Sequence, residues 1–389
     1  MLDAPPQAHD YHGDRDSRGS RRLRVAVVAP SLGILGGQAV QAQRLLSGWG
    51  NDPDVDAWLV PINPDPPGPF RHLVRVKYLR TAATQAVYWP LLVRELRRAD
   101  VVHVFSASYF SFLLAPLPAL AVARLLGRPV VLNYRSGEAP DHLRRSAVAR
   151  LALRSCQRNV VPSSFLAEVL SSHGIAARII PNTVDLERFA FRPRRPLKPH
   201  LLSTRNLEPM YNVACTLEAF RAVQDRYPEA TLTLVGGGSE EPRLKAMAER
   251  LNLREVRFVG RVHPERMAGF YAAADIYVQT PDIDNMPSSV LEAYASGTPV
   301  VATAVGGVPA ILTDGVHGLL APAGAPDAVS TQVIRLLQDQ ALVGRLTEAA
   351  RAFCQDLRWP VVRQQWLALY RELAGAAAAA PAAAEVRPA

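Results

Sequence analysis

Short apolar, β-branched runs alternate with amphipathic stretches of helical length along this chain, and the alternation stops once and then begins again. RVAVVAP at 24–30 leads into a glycine-bearing loop and an amphipathic helix, and further apolar runs fall at 58–61, 101–105, 130–134 and 160–162. Parallel neighbours need a crossover helix, and strands covered on both faces read as near-continuous apolar runs, so the spacing predicts an α/β fold with a parallel sheet. Periodicity is lost in FRPRRPLKPH, where proline and arginine crowd together. Beyond it the pattern resumes, with a strand at 200–203, a helix at 213–227, the strand and glycine loop TLTLVGGGSE, a strand at 257–260, a helix at 264–274 and a strand at 276–279. The expected organisation is a disordered polar tail over 1–20, a Rossmann-like domain over 21–190 and a linker over 191–200. A second Rossmann-like domain over 201–356, a helix over 357–374 and a disordered alanine-rich tail over 375–389 complete it. Two doubly wound units imply a cleft between them, with ligands held at the carboxyl ends of the strands.

At 389 residues the chain suits two domains of about 150–200 residues, each able to bury a core. Its 49% hydrophobic and 20% charged content is that of a globular protein. No apolar run reaches the roughly 18–20 residues needed to span a bilayer. The stretch 112–126 comes nearest, but Pro116, Pro118 and Arg124 interrupt it, so it reads as a buried helix or a membrane-facing patch. The first residues lack an apolar signal core, and cytoplasmic residence is expected. Cys156, Cys215 and Cys354 have neither metal-ligand spacing nor a paired pattern, which suits free thiols in a reducing compartment.

A formal charge of +9 calls for anionic company. Because only Lys77, Lys198 and Lys245 are lysines, the excess of arginine reads as compositional bias, and no nucleic-acid partner is expected. Arginines gather at Arg71, Arg75, Arg80, Arg94, Arg97 and Arg98, and again at Arg144, Arg145, Arg150, Arg154 and Arg158. Such runs are solvated helix faces, or a basic face that docks peripherally on an anionic membrane or on a phosphate-bearing acceptor.

The most informative segment is DNMPSSVLEAYASGTPVVAT, from Asp284 to Thr303. Pro287 and Ser288 open a helix, Gly297 stops it, Pro299 prevents its continuation, and Val300 and Val301 begin a buried strand. A helix start here aims unpaired N–H groups and the positive end of the dipole at the sheet edge, which suits a diphosphate. Asp284 and Glu292 flank that opening, and an acceptor-only carboxylate can take hydrogen bonds from two neighbouring hydroxyls of a sugar or ribose. The same residues admit a plainer reading. Ser289 and Glu292 also make a capping box, and Asp284 with Asn285 an ordinary turn pair.

This segment resembles the donor-site signature of the family 4 glycosyltransferases, in which two acidic residues separated by seven others precede an alanine-rich helix and a Gly-x-Pro-Val-Val strand; Asp284 stands where the family usually has Glu. IPNTVDLERF resembles the family's Pro-Asn-Gly-Val-Asp segment, with Thr183 at the Gly, and AVGGVPAIL its Gly-Gly-x-Pro-Glu loop, with Ala310 at the Glu. DGVHGLLAP continues the likeness, which covers about 22–372 and is dense in the second half. It implies a GT-B fold, a nucleoside-diphosphate sugar as donor, retention at the anomeric carbon, a glycan or lipid-phosphate acceptor, and a last helix, bearing Trp359, Trp366 and Tyr370, that crosses back to the first domain. No cofactor is expected, and no metal, because no His/Asp/Cys cluster has ligand spacing and an arginine with a helix dipole can replace the ion's charge.

Residue by residue, the resemblance makes Arg205 a diphosphate ligand, while the family's Lys is replaced in the neighbourhood of Met210 and Tyr211. Glu292 would hold the ribose. Asp284, with the backbone of Asn285, Met286 and Pro287, would grip the transferred sugar, and the helix start at Ser288 and Ser289 would take the leaving charge. Gly33, Gly36 and Gly37 do not form a dinucleotide fingerprint and resemble the family's first loop, with Gly36 and Gly37 near the donor. Gly237, in the run 236–238, faces the nucleotide or makes a β–α turn. His103 keeps the first position of a His-x-His strand end whose second position is Phe105, and stands either as an active-site group or as a core histidine. Arg135 lies where many relatives have histidine, and Glu138 either orients an acceptor hydroxyl or pairs with an arginine. Two rivals share the double fold: a catalytically silent sugar-nucleotide binder and a sugar-nucleotide 2-epimerase. A phosphorylase would need a lysine for pyridoxal phosphate, and none of the three lies in a suitable glycine-rich setting.

Overall fold

The computed structural model describes residues 21–31, 33, 36–64 and 77–379; the tail expected over 1–20 and the last ten residues lie outside them. Among the described residues the first sheet comprises β1 (Leu23–Ala29), β2 (Val55–Pro61), β3 (Val101–Ser106), β4 (Val130–Tyr134), β5 (Arg158–Val161) and β6 (Arg178–Ile179). The second comprises β7 (His200–Ser203), β8 (Thr231–Val235), β9 (Val256–Gly260), β10 (Ile276–Gln279), β11 (Val300–Thr303) and β12 (Leu319–Ala321). Their orders are β2-β1-β3-β4-β5-β6 and β12-β11-β10-β7-β8-β9. Every pairing within them is parallel.

These orders decide where a ligand can sit. In the first sheet the chain reverses its direction of travel at β1, so a crevice opens between the carboxyl ends of β1 and β3. In the second the reversal falls between β7 and β10. The loop after β1 carries Gly36 and Gly37, the loop after β7 carries Arg205, and the loop after β10 carries Asp284.

One expectation about the connections is revised and two are made more specific. The linker over 191–200 is anchored to the second domain: Arg194 is only 2% exposed and donates to the carbonyls of Ala274 at 2.7 Å, Ser296 at 2.7 Å and Tyr271 at 2.6 Å. Burial pushes its pKa down to about 10, and the three carbonyls replace its water. The stretch 112–126 is divided between two short helices, Tyr109–Leu114 and Pro116–Leu125, that bury Phe112 and Val122 and expose Phe110 and Leu125. Among the described residues no helix is long and apolar enough to cross a membrane. The last helix, Trp359–Ala379, runs past Gly375, where a disordered tail was expected, because the alanines that follow are the best of helix formers.

That helix packs Val362, Trp366, Leu369, Tyr370 and Leu373 on Val25, Val27, Val101 and Val131 of the first sheet, a spacing that keeps one helical face inward. Its indole Trp359 meets Trp49 edge-on at 4.9 Å. Arg363 adds a forked ion pair to Asp52, at 2.6 and 2.9 Å, and reaches Asp54 at 2.6 Å. Cys156, Cys215 and Cys354 are unpaired thiols, and burial raises the pKa of each, to about 12, 11 and 12.

Burial alone would raise the pKa of Asp52, but its bonds to Arg363 and to the amides of Asp54 and Val55 outweigh that and hold it below the ordinary carboxylate value. Arg363→Ala leaves this buried carboxylate unpaired and is expected to cost about 3 kcal/mol in denaturant unfolding at neutral pH. A depressed carboxylate stabilises the fold above its unfolded pKa of about 3.9, so the gap between wild type and variant should close as pH falls below 4.

Candidate active site

The loops after β7 and β10 are tied to each other. The amides of Asp282 and Ile283 donate to the Met210 carbonyl at 2.9 and 3.3 Å, and the Thr280 hydroxyl donates to the Asn212 carbonyl at 2.8 Å. This brings Arg205 Nη2 to 2.8 Å from Asp284 Oδ2. The guanidinium also donates to Ser289 Oγ at 3.2 Å and lies 4.2 Å from the centre of the Tyr211 ring. Asp284 Oδ2 is buried with this ion pair as its one contact, and Arg205 Nε is buried without a hydrogen-bond partner. Such groups need partners, and both residues line the interdomain cavity. Burial penalises charge on both: it raises Asp284 above its ordinary pKa despite Arg205, whereas on Arg205 the effect of Asp284 outweighs it and keeps the guanidinium firmly charged.

The helix Ser288–Ala295 opens on Pro287 with no side-chain cap. The capping box therefore does not form, which removes the plain reading of Ser289 and Glu292. Ser289 Oγ turns instead to Gln279 and Arg205. Glu292 accepts from Arg44 Nη2 at 2.5 Å, across the cleft, and Gln41 Nε2 donates to Ser288 Oγ at 2.8 Å. Asn285 is gripped by Ser163 Oγ at 2.5 Å, and Asn182 Nδ2 donates to the Met286 carbonyl at 2.8 Å.

Glycines let these loops approach. Gly306 has a left-handed φ of +51°, and a Cβ there would lie 2.1 Å from the Asp284 carbonyl oxygen, so only glycine fits beneath the acidic loop. Gly236, at φ +148°, plays the same part under the Arg205 carbonyl, where a Cβ would lie 2.2 Å away.

Between the two sheets these elements enclose a cavity of about 440 Å³. Gly36, Gly37, Arg135 and Glu138 line it from the first domain, and Arg205, Asp284, Asn285, Met286, Pro287, Ser288, Ser289 and Glu292 from the second. Among the described residues a Cβ added to Gly36 or Gly37 would meet nothing within 4 Å. Two of the candidates are elsewhere. His103 is fully buried, with Nδ1 2.7 Å from the Tyr370 hydroxyl and Nε2 3.0 Å from Asn133 Nδ2, and Phe105 stacked on it at 5.0 Å. Burial, helped by the charge of Arg135, drives its pKa down to about 3, so it is a neutral core histidine. Gly237 does not line the cavity; a Cβ there would meet Arg261 Cγ at 3.0 Å, and Gly236 lines it instead. Glu138 makes no ion pair among the described residues, and burial followed by Asp141 raises its pKa.

Gln41, Arg44, Asn182 and Tyr211 were missed. Gln41 and Arg44 lie three apart on a helix entered from the first glycine loop, and that i, i+3 polar pair facing inward was the available signal.

A match to the description "Glycosyltransferase Family 4" covers residues 21–188, and one to "Glycosyl transferases group 1" covers 187–353. The phosphatidyl-myo-inositol mannosyltransferase of Mycobacterium tuberculosis is 30% identical over 72% of this chain and 75% of its own length. The sulfoquinovosyl transferase SQD2 of Arabidopsis thaliana is 26% identical over 69% of this chain, which spans 56% of that relative's length. Among solved structures, a sucrose-phosphate synthase of Thermosynechococcus elongatus superposes with a TM-score of 0.71 at 21% identity, over 91% of this chain and all of the other. The HepE protein of Anabaena in complex with UDP-glucose gives 0.70 at 18% identity, over 90% and 100%. The two sheets facing a polar cleft define a GT-B protein. The chain belongs to the family 4 glycosyltransferases.

Gly306→Ala should lower stability by about 1–3 kcal/mol through overpacking against Asp284. Gly315→Ala, at φ +70° with open space around it, isolates the conformational cost alone, about 1–2 kcal/mol. Thermal unfolding of the two variants should therefore differ, and only the Gly306 variant should lose nucleotide-dependent stabilisation.

Proposed function

We propose that this chain transfers a sugar from a nucleoside-diphosphate donor to an acceptor hydroxyl on a glycan or lipid, with retention at the anomeric carbon. The observation that carries this reading is the convergence of Arg205, Asp284, Glu292 and an uncapped helix start on one interdomain cleft. The donor diphosphate would rest on Arg205 and the amides at Ser288 and Ser289, preorganised donors that take up charge as the leaving group departs. Glu292 would exchange Arg44 for, or share it with, the ribose hydroxyls, and Asp284 would accept from the transferred sugar. On one face of that sugar, the bond from the acceptor oxygen to the anomeric carbon forms as the bond to the diphosphate breaks. The acceptor's proton passes to the leaving phosphate oxygen, so no strong base is needed and a buried, neutral His103 is no obstacle. In this scheme Arg205 and the helix dipole supply the charge that a metal would otherwise bring.

By its name, the mycobacterial relative acts on phosphatidyl-myo-inositol, which supports a lipid-borne acceptor. So does the first-domain surface, which exposes Trp89 beside Arg94, Arg97 and Arg98, and Phe110, Leu125 and Leu151 on other helices; Arg94 and Arg98 share Glu95, and Arg144 and Arg145 share Asp141. We infer peripheral docking on an anionic membrane face from a cytoplasmic side. Vesicles containing anionic lipid should sediment the protein at low salt and release it at high salt; binding to neutral vesicles alone would count against it.

A panel of nucleoside diphosphates should raise the melting temperature of the wild type, and Glu292→Ala should abolish the rise. Arg205→Ala should lower kcat by about 10²–10³. Since burial raises the pKa of Asp284, activity that needs its carboxylate should fall off on the acid side at a pH above the ordinary aspartate value. Nucleotide binding with neither transfer nor slow donor hydrolysis would point to a silent binder.

A further inference from the structure

We propose that Arg135 is the specificity-determining residue of this cleft and reads an anionic group, a phosphate or carboxylate, carried by the acceptor or by the transferred sugar and distinct from the donor diphosphate. The inference rests on the glycosyltransferase reading above. Arg135 follows directly on β4, and its guanidinium donates to Asn133 Oδ1 at 3.3 Å and to Asn182 Oδ1, with the Phe105 ring 5.3 Å away. All these partners are neutral. The other arginines that bear on the cleft are matched differently: Arg44 faces Glu292, Arg205 faces Asp284, and Arg261 is exposed to solvent. Among the described residues no carboxylate lies within ion-pair distance of Arg135, and Glu138, three residues on, does not turn to it. Burial lowers the pKa of Arg135 only to about 10, so it stays charged at neutral pH. A partly buried charge with only neutral partners is costly, and a fixed fork of donors is suited to two oxygens of one anion.

Its position says which anion. The Arg135 carbonyl accepts from Asn285 Nδ2 at 3.4 Å, and a Cβ on Gly137 would stand 3.2 Å from the Asp284 carbonyl carbon. These contacts set the Arg135 backbone against the loop assigned to the transferred sugar, and the residue lines both the cleft and a small inner cavity shared with Phe105, Asn133 and Trp366, while the diphosphate has Arg205 and the helix start.

The test uses the full chain, saturated for the acceptor arm with whichever nucleoside diphosphate stabilises it and nucleotide-free for the donor arm, because a sugar nucleotide competes with that diphosphate for one site. Calorimetric titration with glycerol 3-phosphate against glycerol, and with glucuronate against glucose, probes the acceptor side; the matching uridine-diphosphate glucuronate and glucose probe the donor side. The expected result is at least a tenfold preference for the charged member of a pair on one side, lost in Arg135→Gln, kept in part in Arg135→Lys, with affinity for the nucleoside diphosphate itself changed less than twofold. The side showing the preference names the source of the anion. No preference in the wild type, which requires no variant to fold, would make Arg135 a clamp between Asn133 and Asn182 and overturn the proposal. So would a large loss of diphosphate affinity in Arg135→Gln, which would put this arginine on the donor phosphates. A protein stabilised by no nucleoside diphosphate would overturn the glycosyltransferase reading first, and this inference with it.

Discussion

The pairing of Arg205 with Asp284 depends on two loops from opposite sides of the reversal point in the second sheet, and most of the architecture around it exists to keep those loops together. Met210 holds the acidic loop by its carbonyl, and Gly306 and Gly236 leave room beneath the two backbones. The helix that follows the acidic loop is buried from Ser289 to Ala295, so its start cannot drift. An ion pair in so dry a place, with the buried Nε of Arg205 still unfilled, is poorly explained as a contribution to stability, because desolvating both charges offsets their attraction. It is better explained as a site whose remaining valence belongs to a substrate.

The two sheets were legible in the sequence because parallel strands are apolar on both faces, and the runs ending at Ala29, Ser106 and Gln279 announce themselves. Strand β6 was not, since two exposed residues at a sheet edge have no pattern to detect. The anchoring of the linker was not legible because proline and arginine usually signal solvent, whereas Arg194 finds a set of carbonyls that only the folded second domain brings together. The C-terminal helix outran its expected end because low complexity and high helix propensity coincide in alanine.

The site divided along the same line. The second-domain half was legible from a single segment, in which helix signals and carboxylates are close in sequence. The first-domain half was not, because Arg44 and Gln41 acquire their meaning from Glu292 and Ser288, nearly 250 residues away. His103 shows the converse. Its residue type suggested chemistry, but its strand is buried on both faces, and Asn133 and Tyr370 satisfy both ring nitrogens.

The chain passes between its two domains twice, once after β6 and once on entering the last helix, and the two passages touch: the amide of Val184 donates to the carbonyl of Leu357 at 3.1 Å. Beside them Arg44 spans from the Thr183 carbonyl to Glu292. A body joined at two adjacent points cannot translate or twist freely against its neighbour. Any relative rotation of the two would turn about the line through them, and the bonds that bridge the cleft, Arg44 to Glu292, Gln41 to Ser288 and Asn182 to Met286, would resist it.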